Sequence, residues 1–462
     1  MDFDYYQSPF SWRYGSSAMR AVWSESQKRR LWRKMWVALA EVQSEYQIVM
    51  PEQLADLKAH AEEIDVPRAL EIEAEIHHDL MAEIKTFAEQ AKIGGGVLHL
   101  GATSMDIEDN AEALRIRESL VLIIEQLKTV LSQFSEKIIQ WSDLPIIAQT
   151  HIQPAEPSTL GYRLAQYAQD LLADFEAITQ QHAALKGKGF KGAVGTGASY
   201  SELIGVENLP KFETRLSEIL DLPFYPVTSQ TYPRKQEYQV INSLAGLGAS
   251  VYKFAFDMRI LQSPPFGELS EGFKKKQVGS SAMPFKRNPI QAEKINSLGR
   301  YLAQLPRVAW DNAAHSLLER TLDDSANRRS MLPEAFLICD ELLKVTGNIL
   351  KTLVINEAGI QKNLRTYGPF AATERVLMAL GKKGADRQEM HERIREHSLA
   401  AWEAMQQVEN NPLVDMMQND EAFTSLLSED EITKLMNADA YVGDAPQRAV
   451  ELAKTIQIKL AP

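Results

Sequence analysis

The sequence predicts an all-α fold: three helical domains, with a central bundle of long helices. Three observations predict it. Apolar residues recur at helical spacing through most of the chain. Several of these runs go without proline for far longer than the roughly 11–12 residues of an average helix. Strand evidence is thin, with few alternating runs and no Asn-Gly or Asp-Gly hairpin signal.

In chain order, the part up to residue 103 reads as helical and closes on the break Gly94-Gly95-Gly96. A proline-free run over 107–141 is the first long helix. The second spans 158–186, where Leu160, Leu164, Tyr167, Leu171, Phe175 and Ile178 form one apolar stripe and Pro157 is the expected opener. At 1.5 Å per residue such a helix is on the order of 40 Å long. The third spans 236–262, with Val240, Leu244, Leu247, Val251 and Phe254 as its stripe. Helices of this length suggest a bundle, closed within one chain or completed by other subunits. After Pro264-Pro265, residues 263–289 are the least helical in the chain and include Lys274-Lys275-Lys276. They read either as a solvated loop or as a mobile lid. A last break follows Val354. The expected domains are 1–103, 104–355 carrying the loop 263–289, and 356–462.

Composition narrows the function. The chain has 462 residues, 45% hydrophobic and 24% charged, as a globular protein does. Its net charge of −12 argues against nucleic acid or an anionic membrane surface as the main partner. The N-terminus lacks the basic and apolar regions of a secretory signal, and no apolar run approaches the roughly 20 residues of a membrane span. The cytoplasm is the default compartment. Cys339 stands alone among Phe336, Leu337 and Ile338, so it reads as a core thiol and no intrachain disulfide can form. There is no phosphate loop, dinucleotide fingerprint, CxxC pair or HExxH. His77-His78-Asp79 has a faintly metal-like composition, but adjacent histidines on a helix would point about 100° apart, so no metal site is expected.

Four stretches hold more polar residues than folding requires. In His99-Leu100-Gly101-Ala102-Thr103-Ser104, either Thr103 or Ser104 would cap the following helix. Gln149-Thr150-His151-Ile152-Gln153-Pro154 places a histidine between proline-punctuated breaks, where a structural role is the simpler reading. The stretch 279–289, GSSAMPFKRNP, offers hydroxyls, backbone amides and the charges of Lys286 and Arg287, a set able to cradle a carboxylate or a developing oxyanion. The stretch 319–329, ERTLDDSANRR, carries Arg320, Ser325 and Arg329; its guanidiniums suit bidentate phosphate or carboxylate contacts, or pair with Glu319, Asp323 or Asp324. Together these features favour acid–base chemistry on a polyanionic small molecule.

GSSAMPFKRNP resembles the signature of the fumarase/aspartase superfamily of lyases, and HLGATS, THIQPAEP and this loop follow in that superfamily's order. Within it the chain is most similar to the adenylosuccinate lyases. That likeness rests on Arg13-Tyr14, His78-Asp79, Gln230-Thr231-Tyr232 with Arg234-Lys235, and TLDDSANRR at 321–329. The resemblance implies an all-α homotetramer whose active sites form where three subunits meet. It would account for long stripes that one chain could not bury alone. It implies neither metal nor organic cofactor. The implied substrates are adenylosuccinate and the succinyl-carboxamide ribotide SAICAR, each losing fumarate by β-elimination. By motif position Ser280 is the base and His151 the acid; the residue types alone would have suggested a histidine base. Lys286 and Asn288 would hold the carboxylates of the succinyl group, with Thr103, Ser104, Thr150, Gln230 and Ser281. Arg13, Tyr14, Arg320, Ser325 and Arg329 would hold the nucleotide, the arginines mainly at its phosphate. His78 and Asp79 would sit beside purine and phosphate, and Glu293 would orient His151 or His78.

Overall fold

The computed structural model describes residues 4–274, 276–406 and 410–461; Lys275, in the lysine run noted above, lies outside the described residues. The three expected long helices form, as Ser104–Gln140, Leu160–Ala184 and Lys235–Leu261. Ser325–Thr352 and Glu357–Lys382 are of similar length. At 1.5 Å per residue the 37 residues of Ser104–Gln140 extend about 55 Å. No helix among the described residues is long and apolar enough to cross a membrane.

The chain forms two compact units, each discontinuous in sequence. The first takes residues 1–127, 174–249 and 297–344. One of its apolar cores gathers Trp36, Phe87, Ile107, Phe190, Tyr200, Phe212 and Tyr232, each 0–1% exposed. The helix Glu25–Glu45 starts where the Ser24 hydroxyl accepts from the Gln27 amide. It carries Arg29 and Arg33 inward onto Glu83, at 2.9 and 2.7 Å. Three charges can lie there because each guanidinium meets a carboxylate oxygen directly.

The second unit takes residues 128–173, 250–296 and 345–462. A core of Val376, Leu380, Leu413, Met417, Phe423, Ile432 and Met436 holds its C-terminal helices together. Phe134, Tyr167 and Phe254 meet edge to face, with ring centroids 5.3–5.4 Å apart.

Three expectations need correction. First, Pro157 and Ser158 do not open a helix. They belong to the strand Gln153–Thr159, which pairs antiparallel with Pro145–Thr150, and the helix starts at Leu160. With only two strands both are edges, so Pro145, Pro154 and Pro157 are tolerated. Second, His77 and His78 do not share a helix. His77 ends Val66–Ile76 in a left-handed conformation, and His78 is the N-cap of Asp79–Gln90. Third, the stripes of 158–186 and 236–262 are already buried in the single chain: Leu164, Leu171, Leu244 and Val251 are all 0% exposed. They therefore carry no argument for further subunits. The helix start at Ser104 places Thr103 at the N-cap position, as expected, and its amide donates to Asp106, three residues on, so a carboxylate inside the first turn also holds the helix start. Cys339 is buried, and its surroundings push the thiol well above its usual range, as a core thiol requires.

Candidate active site

The first unit holds one group of the expected residues. Asp106 anchors it. Its buried carboxylate accepts from the amides of Thr103, Lys191 and Gly192 at 3.0–3.2 Å, from the Tyr200 hydroxyl at 3.1 Å, and from the Lys188 ammonium. This fixes Thr103 and Ser104 at the start of Ser104–Gln140.

Three residues further along that helix, Asp109 enters a buried ionic network. Its two oxygens accept from Arg234 Nη1 and the Tyr232 amide, both at 2.9 Å. Arg234 Nε donates to Asp324 at 2.7 Å, and Arg320 donates to the other oxygen of Asp324 at 2.9 Å. Arg328 donates to Glu237, its Nε at 2.9 Å from Oε2. Burial alone would raise Asp324 and Glu237. The guanidiniums outweigh it: Arg234, Arg328 and Arg320 hold Asp324 below the usual carboxylate range, and Arg328 and Arg234 do the same for Glu237. Arg320 is thus committed to Asp324, the pairing that composition left open.

Beside this network lies a cleft of about 110 Å³, lined by Asp79, Glu108, Ser325, Arg328 and Arg329 with Trp23, Lys28 and Trp32. Asp79 opens its helix and accepts from the Leu80 amide and from Arg329 Nη2, both at 2.8 Å. Three expected residues therefore meet here: Asp79, Ser325 and Arg329. Glu108 and Arg328 were not foreseen. Arg13, Tyr14, His78, Thr103, Ser104, Gln230 and Arg320 do not line this cleft. His78 is exposed and caps its helix through Nδ1, which accepts from the Met81 amide at 3.4 Å. Gln230 donates its amide to the Glu319 carbonyl at 3.1 Å, tying the 230 segment to the 319–329 stretch. Arg13 is exposed on the turn that leads to Gly15, whose positive φ of 77° and tight packing on Leu337 exclude a side chain.

The second unit holds the other group. Thr150 and Gln153 pair across a two-residue turn made of His151 and Ile152, with φ of 55° and 60°. The left-handed region is one that histidine adopts more readily than most residues but is an outlier for a β-branched isoleucine, so the turn, strained at Ile152, presents His151 at the tip of the hairpin. His151 and Thr150 are exposed.

The loop 279–289 folds back on itself. Asn288 Nδ2 donates to the Gly279 carbonyl at 3.0 Å, and the Lys286 amide donates to the Met283 carbonyl at 3.0 Å. A Cβ on Gly279 would lie 2.2 Å from the Lys286 carbonyl oxygen, so only glycine permits this closure. The Ser280 Oγ accepts from the amides of Ala282 at 3.4 Å and Met283 at 3.1 Å. Those two N–H groups would stabilise negative charge developing on that oxygen. Ser281 and Lys286 are exposed. Glu271 accepts from the amides of Gln291 and Ala292 at 3.1 and 2.6 Å, and so fixes the start of Ile290–Leu302, where Glu293 lies exposed on the first turn. Among the described residues no hydrogen bond or ion pair joins His151, Ser280 or Glu293 to one another.

Comparison with known proteins gives these groups a context. Residues 7–301 match the family described as Lyase, and 369–451 match the one described as Adenylosuccinate lyase C-terminus. A curated adenylosuccinate lyase of Schizosaccharomyces pombe is 37% identical over 100% of this chain and 97% of its own length. That of Saccharomyces cerevisiae is 38% identical over 97% of this chain and 94% of its own. Among solved structures, a fumarate lyase from Mesorhizobium sp. BNC1 superposes with a TM-score of 0.84 at 23% identity, covering 97% of this chain and 99% of that one. The 3-carboxy-cis,cis-muconate lactonizing enzyme of Pseudomonas putida gives 0.87 at 22%, covering 98% and 100%. These structures share the fold.

Proposed function

The chain belongs to the adenylosuccinate lyase family, and from that premise we propose that it cleaves adenylosuccinate to AMP and fumarate, and SAICAR to AICAR and fumarate. The observation that carries this reading is the likeness to curated adenylosuccinate lyases over the whole chain. Both substrates present two carboxylates and a phosphate around one scissile C–N bond.

In this reading Ser280, as an alkoxide, removes the proton from the succinyl carbon next to a carboxylate. The electron pair passes first into that carboxylate, as the aci form, and then forms the C=C bond of fumarate while the C–N bond breaks. His151 protonates the departing nitrogen, so the nucleotide leaves neutral at that atom. The amides of Ala282 and Met283 support the assignment to Ser280, since both already point at its Oγ. Lys286 and Asn288, with Thr103, Ser104, Thr150, Gln230 and Ser281, hold the succinyl carboxylates. Arg13, Tyr14, Arg320, Ser325 and Arg329 hold the nucleotide, with His78 and Asp79 beside it. Glu293 orients a histidine. The Asp79–Arg329 pair and Ser325, which share the cleft, support the phosphate part of this scheme.

The reading includes a homotetramer in the cytoplasm, with the long-helix part 104–355 at its centre, 1–103 and 356–462 around it, and active sites shared between subunits. Mixing two inactive variants tests the sharing. Ser280→Ala and His151→Gln, each silent alone, should regain activity when co-refolded, because some mixed sites draw serine and histidine from intact copies. A mixture that exchanges subunits, shown by tagged pull-down, yet stays silent would place both residues in one chain's site.

A further inference from the structure

Glu108 lies one helical turn beyond Ser104 and lines the cleft that holds Asp79, Ser325 and Arg329. A carboxylate there is at odds with a phosphate site, because two anions in one small cleft repel. The groups around it resolve the conflict. Asp79 is paired with Arg329, Asp109 with Arg234, and Arg328 with Glu237. Lys28 is paired with Glu25 and Arg115 with Glu112. The cations facing Glu108 are thus engaged elsewhere, and among the described residues no hydrogen bond or ion pair reaches its own carboxyl. Burial, reinforced by Asp79 and Asp109 and only partly opposed by Arg328 and Arg329, pushes that carboxyl up to about 8. At neutral pH it carries its proton and is a donor.

We propose that Glu108 is a substrate-binding residue, whose carboxyl donates a hydrogen bond to the phosphate of the bound nucleotide beside the charged contact from Arg329. The inference rests on the nucleotide reading above and adds to it a recognition group that is neutral. A phosphate monoester loses its second proton near pH 6, below the value for Glu108, so the shared proton stays on the carboxyl. The device lets a cleft rich in carboxylates accept a dianion. It also makes affinity depend on pH, since only the protonated fraction binds.

Calorimetric titration with AMP, the proposed product, at pH 7, 8 and 9 tests this on the intact protein and on Glu108→Gln, which keeps a neutral donor of the same shape. The dissociation constant of the unaltered protein should weaken about tenfold between pH 7 and 9, following the lost protonated fraction. That of Glu108→Gln should change less than twofold. The KM for adenylosuccinate should follow the same two profiles. Parallel profiles, or tighter binding by Glu108→Gln at pH 7 as expected if a charge had been removed, would overturn the inference while leaving the nucleotide reading in place. A protein that neither cleaves adenylosuccinate nor binds AMP would instead overturn the nucleotide reading, and this inference with it. The pH profile of the unaltered protein decides the matter if the variant fails to fold.

Discussion

Replacing Arg234 by Met would remove the guanidinium at the centre of the buried network while keeping most of its apolar volume. Asp109 and Asp324 would each lose their shortest charged contact, of 2.9 and 2.7 Å, in a place where both side chains are at most 3% exposed. Breaking a buried ion pair from one side costs about 3–5 kcal/mol, because the remaining charge is left without compensation. Here Arg320 still reaches Asp324 at 2.9 Å and Arg328 lies 3.9 Å from Asp109, which places the expected loss near the lower end, at about 3 kcal/mol. For a unit of this size that corresponds to a melting temperature lower by about 6–12 °C. Differential scanning fluorimetry at pH 7 measures it. Arg215→Met is the control, since its bridge to Glu45 joins two half-exposed side chains and should be worth at most about 1 kcal/mol. A drop for Arg234→Met no larger than for Arg215→Met would refute the reasoning, and would mean that desolvation cancels the Coulomb gain throughout the network. Because Asp324 also holds Arg320, the variant should raise KM as well as lower stability.

Three further outcomes follow from other parts of the molecule. Ser280→Ala should lower kcat by about 10²–10⁴-fold, the usual contribution of a positioned base, while calorimetry still shows substrate binding; near-normal turnover would remove Ser280 from the base role. Gly279→Ala, whose added carbon would meet the Lys286 carbonyl, should cut kcat/KM with little change in melting temperature, because the loop and not a core must move. Asp79, Glu237 and Asp324 all titrate below their ordinary values in the folded chain, so their stabilising contribution is complete above about pH 4.5 and is lost as pH falls below it. Melting temperature plotted against pH should turn down there, and a flat profile to pH 3 would contradict the network's role.

How much of this could be read from the chain depended on whether the governing force was local. The long helices were legible because a 3.6-residue period records burial directly: Leu160, Leu164, Leu171 and Ile178 are all buried. The 145–159 hairpin was not, since three prolines and a His-Ile turn replace the usual strand and turn signals. Its left-handed Ile152 is strained, and no local preference predicts strain. The identity of the 279–289 loop was legible from its residue types, but the two amides facing Ser280 Oγ emerge only from the folded turn. The buried network was invisible for another reason. Asp109, Arg234 and Asp324 are separated by about a hundred residues at each step, and nothing in the composition says which charges will find one another. Glu108 shares that fate, because its role depends on what its neighbours are already bound to.

The most direct test of the central claim is to give the purified protein adenylosuccinate, without added metal or cofactor, and to follow AMP and fumarate by chromatography. Argininosuccinate, malate and aspartate serve as parallel substrates. The account predicts AMP and fumarate in equal amounts from adenylosuccinate, and no turnover of the other three. Turnover of one of those without cleavage of adenylosuccinate, or no turnover of any, would contradict it.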